Sequence, residues 1–488
     1  MTKVIALGAQ PYIFPRIGLA LVLLALALVI GSLPFLLSLL FVLGAIALVL
    51  SLVRPEFNFC LLAFAVPFSS LGEVEAGPFT VTATEIVVGI VAISWGLRFA
   101  ARREPLVLPW VALPISLFLV VVLFSTTLAP SWPLSLKELL KWLELFLVFL
   151  VAANSFKDRR QMKLVLASLF LASLVEAFLG VYQFAAQRGP EGFVVGEGYL
   201  RAFGTFGQPN PFAGYLGLVL PLAFSLSLSA LNGHRPQWAP GVAFVGVVLF
   251  AAVVMSMSRG AWLAFAISAM VMTAIWSRRA FAGLFIFAFL AAFLAFLGTV
   301  GLLPPVVTER LAVITDNFGI FDVAQVQLTP QNWAVVERMA NWQAAWNMAQ
   351  DAPWLGNGIG NFSEVYPDYA VMNWKNLTGH AHNYFLNILA ETGIIGLGAY
   401  IVLAVSSVVY AVTAFRCIAS ENRPEDSSFP SDKAISLGIL GILLALHTHN
   451  FFDNLYVHGM AAQVGLMLGL LAAIVHSRKQ PPVEPQRI

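Results

Sequence analysis

The chain is built from apolar blocks of roughly 20 residues, and this pattern constrains its fold more than any other feature. As helices, such blocks cross about 30 Å of hydrocarbon. Lipid offers the backbone no hydrogen bonds, so a spanning segment is a helix or part of a closed barrel. Barrel strands alternate apolar and polar residues, and these blocks do not. The composition of 59% hydrophobic and 11% charged residues also excludes an ordinary soluble enzyme, which carries roughly 25% charged residues.

The sequence therefore predicts an all-α integral membrane protein, a polytopic bundle of about 12–14 transmembrane helices. The first block, Ile17–Gly31, is interpreted as an uncleaved span because a second block follows at once. The predicted spans lie at about 14–31, 34–53, 57–70, 82–99, 108–128, 138–153, 164–187, 211–231, 240–256, 261–276, 281–302, 393–415, 434–450 and 457–476.

The distribution of lysine and arginine predicts the orientation of these spans. With the N-terminus inside, 19 of the 27 Lys and Arg residues fall on the inner side and 8 on the outer side. The predicted regions are N-terminal helices at 1–190, central helices at 191–302, a large outer loop at 303–381, C-terminal helices at 382–476 and an inner tail at 477–488. We expect the functional face of the protein on the outer side of the membrane.

Charge and cysteine content give no support for a nucleic-acid partner, a disulfide framework or a zinc site. The net charge is +2, and no basic tail or arginine stripe supports nucleic-acid binding. Cys60 and Cys417 lie far apart in the sequence and form neither a disulfide framework nor a zinc pattern.

The large outer loop carries its own helix signal. Thr329 is the predicted N-cap, Pro330 opens the first turn, and tryptophans recur at helical spacing up to Asp351. We expect an amphipathic helix along the outer membrane surface, with tryptophan on its apolar face. The glycine-rich segment Gly356–Gly360 follows no strand, so it is interpreted as a flexible exit from this helix rather than a dinucleotide motif.

Four arginines stand near predicted outer boundaries: Arg201, Arg259, Arg310 and Arg338. A charge beside hydrocarbon is costly, so each needs a reason. Each one alone is compatible with a side chain that reaches lipid headgroups. Arg201, Arg259 and Arg338 together form the kind of guanidinium cluster that binds a diphosphate.

Two histidine-containing segments are further candidates. His380-Ala-His382-Asn383-Tyr384 closes the outer loop and opens a helix, and His382 is the predicted general base. A helix-capping histidine or half of a metal site are the alternatives.

Supporting candidates come from the same outer side. His449 and Asp453 end the penultimate span, where they line the outer cavity or pack helices through hydrogen bonds. Asn210 lies in the Gly- and Pro-rich return to the membrane after Arg201. The supporting candidates are Asn210, Asn383, Tyr384, His380, Arg310, His449 and Asp453.

From Arg201 to about Gly398 the sequence resembles the O-antigen ligase and O-antigen polymerase superfamily of bacterial inner-membrane glycosyltransferases. The motifs that carry this resemblance are Arg201 with its Gly-x-Phe-Gly-like run, Ser258-Arg259-Gly260-Ala261, Arg338 with Trp342, Pro353 and Gly356-x-Gly358, His382-Asn383-Tyr384-Phe385-Leu386, and Glu391-Thr-Gly-Ile-Ile-Gly396.

The resemblance implies a GT-C-like, metal-independent, inverting transferase without a cofactor. Its donor would be a glycan on undecaprenyl diphosphate, and its acceptor a hydroxyl of lipid A core or of another glycan, at the bilayer. Arg201, Arg259 and Arg338 match arginines that hold the diphosphate, and His382 matches the base. The sequence leaves ligase and polymerase open, gives no oligomeric state, and keeps a small-anion transporter as an alternative of another class.

Overall fold

A computed structural model describes residues 31–32, 34–76, 79–102, 105–156, 158–195, 198–231, 237–277, 282, 293, 322–329, 332–371, 374, 379–421 and 431–479. The helices are α1 Phe35–Val53, α2 Pro55–Phe68, α3 Ala83–Arg102, α4 Ala112–Ser125, α5 Trp132–Ser155, α6 Arg159–Ala186, α7 Pro209–Gly217, α8 Leu220–Leu231, α9 Ala239–Met255, α10 Arg259–Trp276, α11 Trp333–Asp351, α12 Phe362–Tyr369, α13 Tyr384–Ser420, α14 Asp432–His449 and α15 Met460–Lys479. The described part also contains short 3₁₀ helices and two short antiparallel strand pairs: β1 Glu73–Ala76 with β2 Phe79–Thr82, and β3 Val194–Val195 with β4 Tyr199–Leu200.

The architecture confirms the predicted all-α polytopic membrane protein. Six of the described helical segments are long and apolar enough to cross a membrane, and four shorter apolar helices accompany them. One predicted boundary is wrong: the span expected at 138–153 is the 24-residue helix α5, which begins at Trp132. The predicted span at 14–31 lies almost wholly outside the described residues, as does that at 281–302, so the total of fourteen stays a prediction.

Small residues allow the central helices to approach closely. Gly465 and Gly469, one helical turn apart on α15, face α5. A Cβ atom at Gly465 would lie 2.3 Å from the carbonyl oxygen of Leu145, and one at Gly469 would lie 2.5 Å from Cβ of Ala152. In a membrane such small-residue contacts replace the hydrophobic effect as the basis of helix association. Both helices contribute residues to the main buried core, including Trp142 and Leu145 of α5 and Met467 of α15.

An ion-pair network joins three helix ends on the side predicted to be inside. The buried carboxylate of Asp432, at the start of α14, accepts a hydrogen bond of 2.6 Å from Arg159 of α6. It also accepts one of 2.7 Å from Arg478, near the end of α15. These residues therefore lie together at one end of the bundle, as the predicted topology requires.

The outer helix α11 begins later than the sequence pattern indicated. Thr329 is not its N-cap: Asn332 precedes the first helical residue, and the Thr329 hydroxyl accepts the Asn332 backbone N–H in a local turn before the helix. The face of α11 buried against protein consists mainly of alanine and methionine, including Met339 and Met348, whereas Trp346 is 53% exposed. Trp346 thus points away from the protein packing, which leaves it available to lipid, whereas Trp342 packs against the buried cluster that contains Met339 and Trp374.

The glycine-rich segment after α11 is not a flexible exit, which corrects the sequence interpretation. It is hydrogen-bonded through its backbone to a break in α13 at Gly393, where φ is 63° and ψ is −166°. The amides of Asn357 and Gly358 donate to the carbonyls of Ala390 and Glu391, at 3.1 and 2.8 Å. On the other side of the break, the amide of Ile394 donates to Pro353 at 2.8 Å and that of Ile395 donates to Trp354 at 3.3 Å. We call this arrangement the backbone clasp.

Candidate functional site

The segment before α13 holds both candidate histidines in a fixed turn. The Ala381 amide donates to the Asn387 side chain at 3.0 Å, and the Asn383 side chain caps the helix by accepting from Leu386. His382 has a left-handed backbone with φ of 51°, which a non-glycine residue adopts only when its surroundings demand it. The rings of His380 and His382 meet edge to face, 4.5 Å apart at their centroids.

Asp453 joins the two histidines from the connection between α14 and α15. Its Oδ1 atom lies 3.4 Å from Nε2 of His380 and 3.5 Å from Nδ1 of His382. The connection is anchored to the histidine turn because the Tyr384 amide donates to the Asn450 carbonyl at 2.8 Å. The structure therefore brings together His380, His382 and Asp453, three residues that the sequence singled out in two separate segments.

The Asp453 carboxylate is buried and ionised. Burial alone would raise its pKa, but the hydrogen bond from His382 and the nearby histidines outweigh burial and hold the pKa below its usual range. Its second oxygen, Oδ2, is buried and lacks a hydrogen-bond partner within the described part of the chain. A buried carboxylate oxygen of this kind is a strong acceptor for an N–H or O–H group that comes within hydrogen-bond distance.

The hydrogen-bond pattern fixes the proton on His380. Its Nδ1 atom accepts the backbone N–H of His382 at 3.0 Å, so in the neutral ring the proton resides on Nε2, facing Asp453. Burial lowers the pKa of His380 to about 4, against the opposing effect of Asp453; His382, Arg338 and Lys141 act in the same direction as burial. His380 is therefore neutral at pH 7.

The same pattern bears on metal binding. The potential ligand atoms of His380, His382 and Asp453 lie within 4.8 Å of one another. A metal needs a free lone pair on each nitrogen. The Nε2 atom of His380 carries its proton because Nδ1 already accepts the backbone amide. The donor set in this arrangement fits a hydrogen-bonded His-Asp-His group better than a metal centre.

Arg201 is fixed beside the end of α9. Its Nε donates to the Ser256 carbonyl at 2.8 Å, and one terminal nitrogen donates to the Asn210 side chain at 2.9 Å. The neighbouring Ala202 amide donates to the Met255 carbonyl at 3.0 Å. Asn210 thus lies directly against Arg201, and the guanidinium is oriented by two contacts with the protein.

Arg259 is the first residue of α10, directly after the turn whose Ser256 carbonyl contacts Arg201. It follows Ser256 by three residues, after a left-handed turn at Met257 with φ of 51°. The next residue, Gly260, packs on His449: a Cβ atom there would lie 3.1 Å from Cδ2 of that ring. Asp453 follows His449 by one turn, and its amide donates to the His449 carbonyl. The segment of Arg259 therefore packs, through Gly260 and His449, next to the group formed by His380, His382 and Asp453.

Arg338 approaches from the outer helix α11. It is half-buried, and its charge lowers the pKa of His380, which places it within electrostatic range of the histidine turn. Arg310 lies outside the described residues.

Tyr384 has a structural position beneath the site. It is buried in a cluster of aromatic rings, 5.1 Å from Tyr400 and 4.8 Å from Tyr456 between centroids. Together with Asn383, which caps the helix, it packs the histidine turn against the helix bundle.

The sequence reasoning did not assign Lys141 to the site. It lies on α5, forms an ion pair with Glu138, and acts electrostatically on His380. The available signal was the presence of charged residues, Lys141 and Glu138 among them, inside a mainly apolar helix.

A small cavity borders His449 between the helices that carry these groups. Its other walls are apolar or small residues of α7, α10 and α14: they include Gly214, Ala261, Phe265 and Leu446. The described residues thus define a multi-pass membrane protein with a cationic and histidine-containing site at one end of its bundle.

A family model provides the comparison with known proteins. Residues 244–401 match the O-antigen ligase family, a stretch that runs from α9 into α13 and contains Arg259, Arg338 and His382. This match confirms the resemblance to the O-antigen ligase and polymerase superfamily and, at the level of that family, supports an enzyme of the glycosyltransferase kind. No curated protein matches the chain.

Proposed function

We propose that this protein transfers a glycan from undecaprenyl diphosphate to an acceptor hydroxyl on lipid A core, at the periplasmic face of a bacterial inner membrane. The reaction is a single in-line displacement. The acceptor oxygen forms a bond to the anomeric carbon, the bond to the diphosphate oxygen breaks, and the configuration inverts. The acceptor proton passes to the enzyme, and the lipid diphosphate leaves with its electron pair.

The contact between Asp453 and Nδ1 of His382 carries this proposal. A carboxylate on one ring nitrogen fixes the tautomer, so the other nitrogen, Nε2, presents its lone pair to an incoming hydroxyl. The buried carboxylate also stabilises the imidazolium that forms when the proton arrives. General-base catalysis of this kind contributes typically about 10²–10⁴-fold in rate.

The arginines would stabilise the leaving group. Negative charge grows on the diphosphate oxygens as the glycosidic bond breaks, and fixed donors in a partly dry site oppose that growth most effectively. Arg201 is already oriented by Ser256 and Asn210. Arg259 and Arg338 would complete the clamp from α10 and α11. With charge handled by guanidinium groups, the proposed mechanism requires neither a metal nor a cofactor.

Purified protein in proteoliposomes provides the test. We expect wild type to transfer glycan from an undecaprenyl-diphosphate donor to a core-lipid acceptor, and His382→Ala to lose transfer by at least about 10²-fold while remaining folded. Near-normal transfer by His382→Ala would remove His382 as the base.

The acceptor that is used in the assay distinguishes the ligase from the alternative functions. Extension of the donor glycan alone would establish a polymerase on the same catalytic logic. Absence of transfer by folded wild type with several donors and acceptors would favour an anion transporter, to be measured by flux.

A further inference from the structure

Helix α5 is an unusual membrane helix because it carries four charged residues in its outer half: Lys137, Glu138, Lys141 and Glu144. The cost of a charge in a membrane segment makes such residues functional candidates unless a partner fully accounts for them. Lys137 lies near the outer end and donates to the Thr80 hydroxyl at 3.0 Å. Lys141 lies one turn deeper.

The outer half of α5 packs against segments that hold the functional site in place. The Ser131 amide, just before the helix, donates to Asn361 at 2.7 Å, which ties α5 to the segment after the backbone clasp. One residue beyond Lys141, the ring of Trp142 lies 6.5 Å from Tyr384 and 4.7 Å from Tyr456. Lys141 is therefore at the level of the residue that follows the His382-Asn383 turn.

Lys141 has an ion-pair partner and is also partly exposed. Its ammonium group pairs with Glu138, and the two side chains are 18% and 27% exposed. Its charge lowers the pKa of His380, so it belongs to the electrostatic surroundings of the histidine group. A compact ammonium on a flexible stem binds phosphate as a point charge and can exchange one anionic partner for another.

We propose that Lys141 is a further binding residue for the diphosphate of the lipid-linked donor, and that it exchanges its contact with Glu138 for phosphate oxygens when the donor enters. This assignment rests on the proposed function for the identity of the ligand. The proposed diphosphate site would then contain four cations. Lys141 comes from α5, in addition to Arg201, Arg259 and Arg338. In this role Glu138 positions the ammonium group before the donor binds.

A purely structural role makes a different prediction. If Lys141 only neutralises Glu138, removing both charges should restore the protein, whereas removing Lys141 alone leaves a carboxylate unpaired. The double variant Lys141→Met with Glu138→Gln therefore separates the two roles. Lys137→Met is the matched control, since it removes the same charge one turn away on the same helix.

Binding of undecaprenyl diphosphate without a glycan, measured by titration calorimetry on full-length protein in nanodiscs, tests the proposal. We expect Lys141→Met to weaken binding by roughly 10–100-fold, the range for a hydrogen bond to a charged group. The double variant should stay equally weak, and Lys137→Met should bind within about twofold of wild type. In the transfer assay, the KM for the donor should rise in Lys141→Met while the KM for the acceptor stays constant.

Three results would overturn the proposal: wild-type affinity in Lys141→Met, recovery in the double variant, or a rise in acceptor KM instead of donor KM. The proposed function can fail separately. If no donor and acceptor pair supports transfer but diphosphate binding still depends on Lys141, the binding residue stands and the transferase does not. If Lys141→Met transfers efficiently with a wild-type KM for the donor, the transferase stands and the assignment of Lys141 as a binding residue does not.

Discussion

At the scale of single residues, Asp453 determines the chemistry of its neighbours. It is 3% exposed and faces Nε2 of His380 and Nδ1 of His382 through one oxygen. Because His380 receives a backbone amide on Nδ1 and faces Asp453 through Nε2, both of its ring nitrogens are engaged. The two histidines of the motif thus have different tasks: His380 supports the carboxylate, and His382 is the proposed base.

Asp453→Asn tests this division. The amide keeps the size of the side chain but removes the charge that stabilises an imidazolium, and its NH₂ group no longer enforces the tautomer. We expect kcat to fall by about 10²–10⁴-fold with little change in donor KM. Asp351→Asn is the control, since Asp351 is exposed at the end of α11 and accepts a hydrogen bond from the Tyr369 hydroxyl. Equal rates in the two variants would remove Asp453 from catalysis.

His458 predicts how stability depends on pH. Burial lowers its pKa, Lys137 acts in the same direction, and Glu73 opposes them. Below about pH 6.5 the unfolded chain therefore binds a proton that the folded protein resists, and stability falls as the pH decreases. His458→Asn keeps the left-handed backbone, with φ of 48°, that asparagine tolerates.

The measurement is the unfolding temperature between pH 7 and pH 5. His458→Asn should show a shallower decline than wild type. Parallel curves would mean that His458 is protonated equally in the folded and unfolded states.

At the scale of elements, the backbone clasp could not be predicted from the sequence pattern. Periodicity located the end of α11 near Asp351, which is correct, and a span from about residue 393, whereas α13 begins at Tyr384 and is interrupted at Gly393. The glycines between them were interpreted as a flexible exit because glycine usually marks mobile turns. Here their role is close approach: a Cβ atom at Gly356 would lie 2.3 Å from the carbonyl carbon of Glu391. Such contacts are between segments distant in sequence, and local patterns do not encode them.

Gly393→Ala tests the clasp. The substitution places a Cβ atom 2.3 Å from the carbonyl carbon of Trp354 and forces alanine into a glycine conformation. Backbone strain of this kind costs about 1–3 kcal/mol, and the contact adds to it. We expect a lower unfolding temperature and faster proteolysis between α11 and α12.

The control for that variant lies on the same helix. Gly398 has open space around it, so Gly398→Ala should be neutral or stabilising by up to about 1 kcal/mol. Equal destabilisation of both variants would contradict a specific role for the break at Gly393.

At the scale of the whole molecule, the predicted sides of the membrane correspond to two ends of the bundle. Residues assigned to the inner side, Arg159 and Arg478, meet at Asp432. Residues assigned to the outer side, including Arg201 and His382, belong to the contiguous site at the other end. Charge bias and apolar length suffice for this level of organisation because both reflect the bilayer itself. The position of Lys141 within the site depends on helix rotation, which neither signal specifies.

Thiol labelling tests the orientation. Cys60 is buried and Cys417 is exposed near the end of α13 predicted to be inside. In spheroplasts, a membrane-impermeant maleimide should label Trp354→Cys in a Cys417→Ser background, since Trp354 is 69% exposed. Wild type should be labelled at Cys417 only after permeabilisation. The reverse pattern would invert the topology and place the histidine site on the cytoplasmic side.

The backbone clasp also has a consequence for how such a protein can diverge. Its four hydrogen bonds involve only amides and carbonyls, so the side chains of Trp354 and Leu355 contribute nothing to these bonds and are 69% and 39% exposed. Mutational drift at these two positions can therefore alter what the outer surface contacts while the histidine turn on α13 keeps its place. Sequence change should therefore be tolerated best there, and a library randomised at these two residues should retain the fold.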